Sequence, residues 1–400
     1  MRTLTVNRPA PAGLSLPLDR DIRFGDYRYP LHLRAGDGAW AELAARLSAL
    51  HPDRQFIVTD SGVPAAVIAA TAAAAGAAGP VTVLSVPAAE TAKNAGTVIE
   101  LAERVIADGG TRRSVVIGLG GGLAGNIAGT LAGWLYRGAP RLVQIPTTLL
   151  ALSDSVLSLK QAINSSSGKN HLGCFKAPVL VWGHLDLLRT LPASEKRAAL
   201  CETAKNVLAI CPERYGELTD LLRPDADYTD AELAWIVDLC AAAKQSVMRA
   251  DPHEAGLALA LEYGHTAGHA AEHLTGGRIG HGPAIAVGML VAARVSARLG
   301  YLRPPGVRAH EHLLRGIGVP LRFPSGVAAG DLLTAMRRDN KRGYIPPEPG
   351  RIDMVLLDAL GQPHIEAGGV ITPVPERVVL AALHEHAIHE HTSHGEDQAA

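Results

Sequence analysis

The sequence predicts an α/β nucleotide-binding domain followed by a mostly α-helical, metal-binding domain. Three observations carry that expectation. Short apolar runs alternate with helical stretches up to Pro146. A glycine-rich turn, Gly118-Leu119-Gly120-Gly121-Gly122-Leu123-Ala124-Gly125-Asn126, joins one of those strands to a helix. Beyond Pro192 the apolar residues recur with a helical period instead. The 400 residues also exceed what one hydrophobic core usually organises.

Residues 1–20 are proline-rich and read as an irregular arm. Strands follow at 55–60, 81–86, 114–118 and 141–146, with helices near 63–77, 94–108 and 127–136 between them. Short, nearly uninterrupted apolar strands separated by helices argue for a parallel sheet covered on its faces. This first domain is placed at 1–190. Within it, the glycine turn lets backbone approach a pyrophosphate closely, and the helix after it offers N-terminal amides to the anion. Its spacing departs from GxGxxG, so a standard dinucleotide fold does not follow from the turn alone. Lys160 and Lys169, set among serine, glycine and asparagine, suit phosphate contacts; two exposed loop lysines are the alternative.

The second domain, 191–383, carries helical patterns at 193–210, 230–249, 254–274, 284–299 and 308–316, then a short β return at 351–357. His265 and His269 lie four apart, hence on one helix face about one turn apart. His281 follows the break Gly276-Gly277-Arg278-Ile279-Gly280, which can fold back toward them. Glu202 on an earlier helix would complete a set of two imidazoles and one carboxylate. Those donors suit zinc or a similar divalent ion with one position left for substrate. Any one of these histidines taken alone reads as polar structure, so the argument rests on the set. The tail, 384–400, is histidine-rich and reads as a solvated helix end fraying into disorder rather than a metal site.

Charge is nearly balanced, with 38 basic and 39 acidic residues, which argues against a nucleic-acid partner. No apolar run is long enough to span a bilayer, and the N-terminus lacks the apolar segment of a signal peptide. Cys174, Cys201, Cys211 and Cys240 show no CxxC spacing and fit a reducing compartment. A cytoplasmic globular protein acting on a small molecule is the expectation.

Gly120-Gly121-Gly122, Pro146-Thr147-Thr148, Lys160, Gly168-Lys169-Asn170, Glu202-Thr203-Ala204-Lys205 and Gly264-His265-Thr266-Ala267-Gly268-His269 together resemble the dehydroquinate synthase superfamily of sugar phosphate cyclases. The resemblance implies NAD bound by the first domain, a divalent metal (cobalt or zinc) bound by the second, and an active site between them. It assigns Glu202, His265 and His281 to the metal. To NAD it assigns Asp60, Glu90, Lys93, Gly120, Gly121, Gly122, Gly125, Asn126, Thr147, Thr148, Lys169 and Thr190. Lys160, Asn170, His269 and Lys341 match the substrate-phosphate pocket, and Arg137 matches an arginine reaching a neighbouring subunit, which implies a homodimer. Lys205 and Lys244 match contacts to substrate hydroxyls.

Departures from the pattern speak to substrate. An arginine that pairs with a substrate carboxylate in dehydroquinate synthases is replaced by alanine in the run Glu254-Ala255-Gly256-Leu257-Ala258. The asparagine expected three residues before the first histidine is Glu262. A new acid there repels a carboxylate but can move a proton on a neutral sugar. Asn126 replaces the usual aspartate after the glycines. The run Ser158-Leu159-Lys160-Gln161-Ala162 is most similar to the branch that opens 2-deoxystreptamine aminoglycoside biosynthesis. The implied substrate is glucose 6-phosphate, oxidised at C4 by NAD, stripped of phosphate at C6, re-reduced and closed by an intramolecular aldol reaction. Lys160, Glu262, His269, Lys205 and Lys244 are the expected catalytic residues, with Glu262 either the proton carrier or an orienter of a ligand histidine. A sedoheptulose 7-phosphate cyclase and a metal-dependent polyol dehydrogenase are the competing readings.

Overall fold

The computed structural model describes residues 15–166, 168–339, 341 and 343–386. They fall into two compact units. The first comprises the described residues up to Thr203 together with Asp225–Ala258; the second comprises Ala204–Pro224 and the described residues from Leu259.

The first unit is built on a seven-stranded sheet. Its strands are β1 (Leu18–Phe24), β2 (Tyr27–Arg34), β3 (Gln55–Asp60), β4 (Val81–Val86), β5 (Val115–Gly120), β6 (Arg141–Pro146) and β9 (Leu180–His184), in the order β1-β2-β9-β6-β5-β3-β4. All neighbouring pairs are parallel except β1 and β2. A separate antiparallel hairpin pairs β7 (Lys160–Ser165) with β8 (Gly168–Phe175). The central strands β3 and β5 are buried along their whole length, as strands covered on both faces must be. Their alternate residues feed two cores. Phe56, Val58, Val116 and Leu142 pack with α3 (Ala95–Ala107) and α4 (Gly122–Trp134), while Ile57, Ile117, Val143 and Trp182 pack with α1 (Gly38–Ser48) and α2 (Ala65–Gly76).

Three expectations change here. Of the irregular arm, residues 1–14 lie outside the described residues, and Leu18–Arg20 already belong to β1. The β1–β2 hairpin itself went unread in the sequence. The first unit also reaches past residue 190, through α5 (Asp186–Arg189) and most of the way along α6 (Ala193–Ala209), and it takes in α8 (Asp230–Met248). That last helix begins with a reciprocal cap between Thr229 and Glu232 and is tied to β1 by the Arg20–Asp238 ion pair. Periodicity showed that α8 exists, but not which core would bury it.

The second unit contains the end of α6, α7 (Tyr215–Leu221), α9 (His265–Leu274), α10 (His281–Arg298), α11 (Pro304–Ile317), α12 (Ala329–Met336) and α13 (Glu376–His386). Two small antiparallel sheets join them: β10 (Arg351–Val355) with β13 (Ile371–Pro375), and β11 (Leu357–Ala359) with β12 (Gln362–Pro363). Helix α10 is buried over nearly all of its length, so it is apolar all round rather than amphipathic. His384–His386 complete α13, and the rest of the histidine-rich tail, 387–400, lies outside the described residues. No helix among the described residues is long and apolar enough to cross a membrane.

Candidate functional site

In the first unit the glycine turn sits where strand order reverses. From β3 the chain moves outward to β4, returns to β5 on the other side of β3, and continues outward to β6. Asp60 ends β3 and Gly120 ends β5, so they stand together at the C-terminal edge of the sheet. Open parallel sheets bind nucleotides at such reversals. Gly120 has φ +149°, and a Cβ there would lie 2.8 Å from Ala124 Cβ and 2.9 Å from Asp60 Oδ2. Only glycine fits. The crevice is lined by Gly120, Gly121, Gly122, Gly125 and Asn126, with Gln144 and Gln161 beside them. Helix α4 starts at Gly122 with no side chain capping its first turn, which leaves backbone donors for an anion.

Asn126 has a structural reason for its identity. Its Nδ2 donates to Gly122 O at 2.8 Å, and its Oδ1 accepts from Ala162 N at 2.8 Å. An aspartate could make only the second bond. Gln144 similarly donates to Gly125 O at 3.0 Å. It was missed in the sequence, although a glutamine inside the apolar run Arg141-Leu142-Val143-Gln144-Ile145-Pro146 was a legible signal.

Several other expected cofactor and phosphate residues gather at the β7–β8 hairpin. Lys93 Nζ donates to Asn170 Oδ1 at 2.7 Å, and Glu90 Oε1 accepts from Asn164 Nδ2 at 2.8 Å. Thr147 N donates to Gly120 O at 2.9 Å, tying β6 to the turn, and Thr148 Oγ1 accepts from Ala151 N at 3.1 Å. Lys160 and Lys169 are strand residues rather than loop residues. Lys169 and Thr190 are exposed and do not line the crevice; Arg137 is exposed, with φ +63°. Lys244 is buried and meets both the carboxylate and the main-chain oxygen of Asp154 at 2.8 Å.

The segment expected to be one helix over 254–274 is broken. Asp251 accepts backbone hydrogen bonds from Ala255, Gly256 and Ala258, which holds a tight turn. Within it Glu254 takes φ +54° and pairs with Lys160 Nζ at 2.7 Å. A 3₁₀ segment, Leu257–Glu262, follows, and α9 begins only after Gly264 with φ +81°. Glu262 and His265 therefore sit on different elements.

In the second unit, small residues bring the two histidine-bearing helices together. A Cβ on Gly288 would fall 2.0 Å from Gly264 O and 2.8 Å from Gly268 N, so α9 and α10 cross backbone to backbone. His265 and His281 are the first residues of those helices, and their ring centroids are 5.7 Å apart. His281 follows the glycine-rich break, as expected, and opens α10, which starts three residues before the expected 284. Nδ1 of His265 pairs with Tyr263 O at 3.2 Å, and Nδ1 of His281 with Glu272 Oε2 at 3.2 Å. Each ring is thereby oriented, with Nε2 on the side away from that partner. Glu202, buried to 1% exposure, lies on α6 within a turn of the part of that helix belonging to the second unit. One donor atom from each of Glu202, His265 and His281 lies within 4.8 Å of the others. Two oriented imidazoles and a buried carboxylate fit a zinc-like divalent ion.

His269 faces the same cluster, its ring centroid 5.1 Å from that of His265, but its Nδ1 is directed to Asp339 Oδ2 at 3.2 Å. Asp339 also meets Lys341 Nζ at 2.8 Å, and Lys341 Nζ lies 3.3 Å from Glu262 Oε2. Burial opposes charge on Asp339, yet Lys341 and His269 hold its carboxyl down at about 2. Burial likewise disfavours the Lys341 ammonium, but Glu262 and Asp339 outweigh it and raise its pKa. Lys205 is buried on α6 near Glu202 in sequence. Sequence reasoning missed Asp339 and Glu272. The carboxylate in Ala270-Ala271-Glu272 offered a faint signal, while Arg337-Arg338-Asp339 reads as a solvated run.

Comparison with known proteins gives a consistent result. The family model for the 3-dehydroquinate synthase N-terminal region matches residues 83–198, and that for the C-terminal region matches 199–342. A 2-deoxy-scyllo-inosose synthase of Streptomyces paromomycinus is 43% identical over 363 residues, covering 90% of this chain and 93% of that relative. A crystal structure of 2-deoxy-scyllo-inosose synthase complexed with carbaglucose-6-phosphate, NAD+ and Co2+ superposes with TM-score 0.85 at 33% identity, over 92% of this chain and all of that one. A 2-epi-5-epi-valiolone synthase from Streptomyces hygroscopicus with NAD+ and Zn2+ bound shares the fold, with TM-score 0.73 at 23% identity over 88% of this chain and 95% of its own. Sequence and fold agree: the chain belongs to the 2-deoxy-scyllo-inosose synthase family, within the dehydroquinate synthase group of sugar phosphate cyclases.

Proposed function

We propose that this enzyme converts glucose 6-phosphate into 2-deoxy-scyllo-inosose and phosphate, the first committed step toward 2-deoxystreptamine aminoglycosides. Its cofactors are NAD and one divalent metal ion. The observation that carries this reading is the convergence of Glu202, His265 and His281 to within 4.8 Å, in a chain that also builds a glycine-lined crevice at its sheet reversal. When bound, NAD would take a hydride from C4 and return it, and the metal would polarise the hydroxyl being oxidised. Cobalt is supported by the liganded relative, and zinc suits the same donors.

The chain's own residues divide the remaining work. Glu262, held beside the Lys341 ammonium, keeps a carboxylate ready to carry a proton during ring opening or aldol closure. His269 and Lys341 hold the phosphate from the second unit's side chains; Lys160 and Asn170 are assigned to the same group. Lys205 and Lys244 orient sugar hydroxyls, and holding one intermediate through successive steps exploits proximity. The run Glu254-Ala255-Gly256-Leu257-Ala258 offers no arginine for a substrate carboxylate, in keeping with a neutral sugar. Arg137, exposed on the first unit, reaches the site of a second subunit in a cytoplasmic homodimer.

The test is incubation with glucose 6-phosphate and a catalytic amount of NAD. A cyclase releases phosphate and carbocycle with no lasting NADH absorbance. NADH accumulating in proportion to product would mean a polyol dehydrogenase, and turnover of sedoheptulose 7-phosphate alone would mean a valiolone-type cyclase.

A further inference from the structure

We propose that Asp339 is a positioning residue, one carboxylate that fixes His269 and Lys341 together as a single phosphate-binding pair. The inference rests on the phosphate role given to those two residues above. Two segments meet at this carboxylate, α9 and the loop that carries Lys341, and a third joins them through Lys341. Oδ2 faces Nδ1 of His269 on α9 at 3.2 Å; Oδ1 accepts Nζ of Lys341 at 2.8 Å and the Lys341 backbone N–H at 3.1 Å. Through Lys341 it is linked to Glu262, at the end of the 3₁₀ segment.

The exposures show which way the arrangement works. The Asp339 side chain is 4% exposed and that of Lys341 1%, whereas that of His269 is 30% exposed. A buried carboxylate therefore stands behind a more open imidazole. With Nδ1 turned to Asp339, His269 presents Nε2 outward. Lys341 brings three ammonium protons, of which the two carboxylates engage two, and the third is directed by where those two lie. A lysine alone has four rotatable bonds and a flexible charge. The contacts of Nζ with Asp339 and Glu262 remove much of that freedom, and the backbone bond from Lys341 N to Asp339 holds the start of the side chain beside the same carboxylate. An imidazole and an ammonium held on one rigid anchor form a preorganised anion site, whereas separately placed they would lose entropy on binding. Both carboxylate oxygens are taken up by His269 and Lys341, which offsets the repulsion a bare carboxylate would exert on an anion.

The experiment compares Asp339→Asn with His269→Ala and Lys341→Ala in the holoenzyme, using inorganic phosphate as a competitive inhibitor and the sugar phosphate as substrate. Losing a charge-assisted anchor should raise both the phosphate inhibition constant and KM about tenfold, with kcat changed less than about threefold. In the Asp339→Asn/Lys341→Ala double variant the effects should be less than multiplicative, because the two residues act as one device. Asp339→Glu keeps the charge but displaces it by a methylene; an intermediate increase in both constants is expected, and this variant decides the matter if the asparagine variant does not fold. Unchanged phosphate inhibition in the Asp339 variants, alongside weakened inhibition in His269→Ala and Lys341→Ala, overturns the positioning role. Unchanged inhibition in His269→Ala and Lys341→Ala overturns the phosphate assignment itself.

Discussion

The two candidate binding regions are made of different material. The crevice of the first unit is mostly backbone: consecutive glycines, a helix start without a side-chain cap, and amide side chains that bond to the turn's own carbonyls. The histidine cluster is mostly side chain, with each imidazole held by another group, Tyr263 O for His265 and Glu272 for His281. The first fails when a Cβ is added; the second fails when a functional group is removed.

Replacing a ligand should give the largest effect and separate the regions most cleanly. Glu202→Ala or His265→Ala should lower turnover about a thousandfold or more and abolish metal content, while NAD titration by fluorescence stays near normal. Equal loss of NAD affinity would mean that the two regions are not independent. The next effect concerns acid. His310 is fully buried between Gly306 O and the Tyr263 hydroxyl, and burial lowers its pKa from 6.5 to about 4. A histidine that is neutral when folded contributes stability that is full above 6.5 and is lost as pH falls through about 4. The second unit should therefore lose about 3 kcal/mol over that interval. In the first unit, the Asp19 and Glu42 carboxyls beside Arg34 are held near 2, so their contribution fades only below their unfolded values near 4. Thermal melts across pH check this, and His310→Gln should flatten the slope between 6.5 and 4.

Gly120→Ala should cost about 2 kcal/mol in backbone strain and crowding at Asp60, seen as NAD affinity weakened about tenfold or more. Metal content should hold. Glu272→Gln should weaken metal affinity about tenfold to a hundredfold with NAD affinity unchanged, by loosening His281. The smallest effect belongs to Asn126→Asp, which loses one of two hydrogen bonds; KM for NAD should rise about threefold to tenfold.

The backbone-built region was easier to read in advance. A glycine turn between a strand and a helix announces itself locally, and β3, β4, β5 and β6 lie where alternation of apolar strands and helices placed them. The side-chain cluster was legible as a ligand list but not as a supported site. Asp339 lies 70 positions from His269, and nothing in its polar neighbourhood distinguishes it from solvent-facing charge. The break after Asp251 was likewise hidden, because three backbone bonds to one carboxylate overrule a sequence that is helical in pattern.

By itself, then, the sequence determined the elements and the chemical inventory: which stretches are strands and helices, where glycine is needed, and which histidines and carboxylates are on offer. Those are short-range properties, set by periodicity and by backbone sterics over a few residues. Tertiary structure alone decided which core buries α8, how closely α9 and α10 cross, and which buried acids hold His281, His269 and Lys341. Each of those depends on residues far apart in the chain coming within a hydrogen bond of one another, and no local pattern carries that distance.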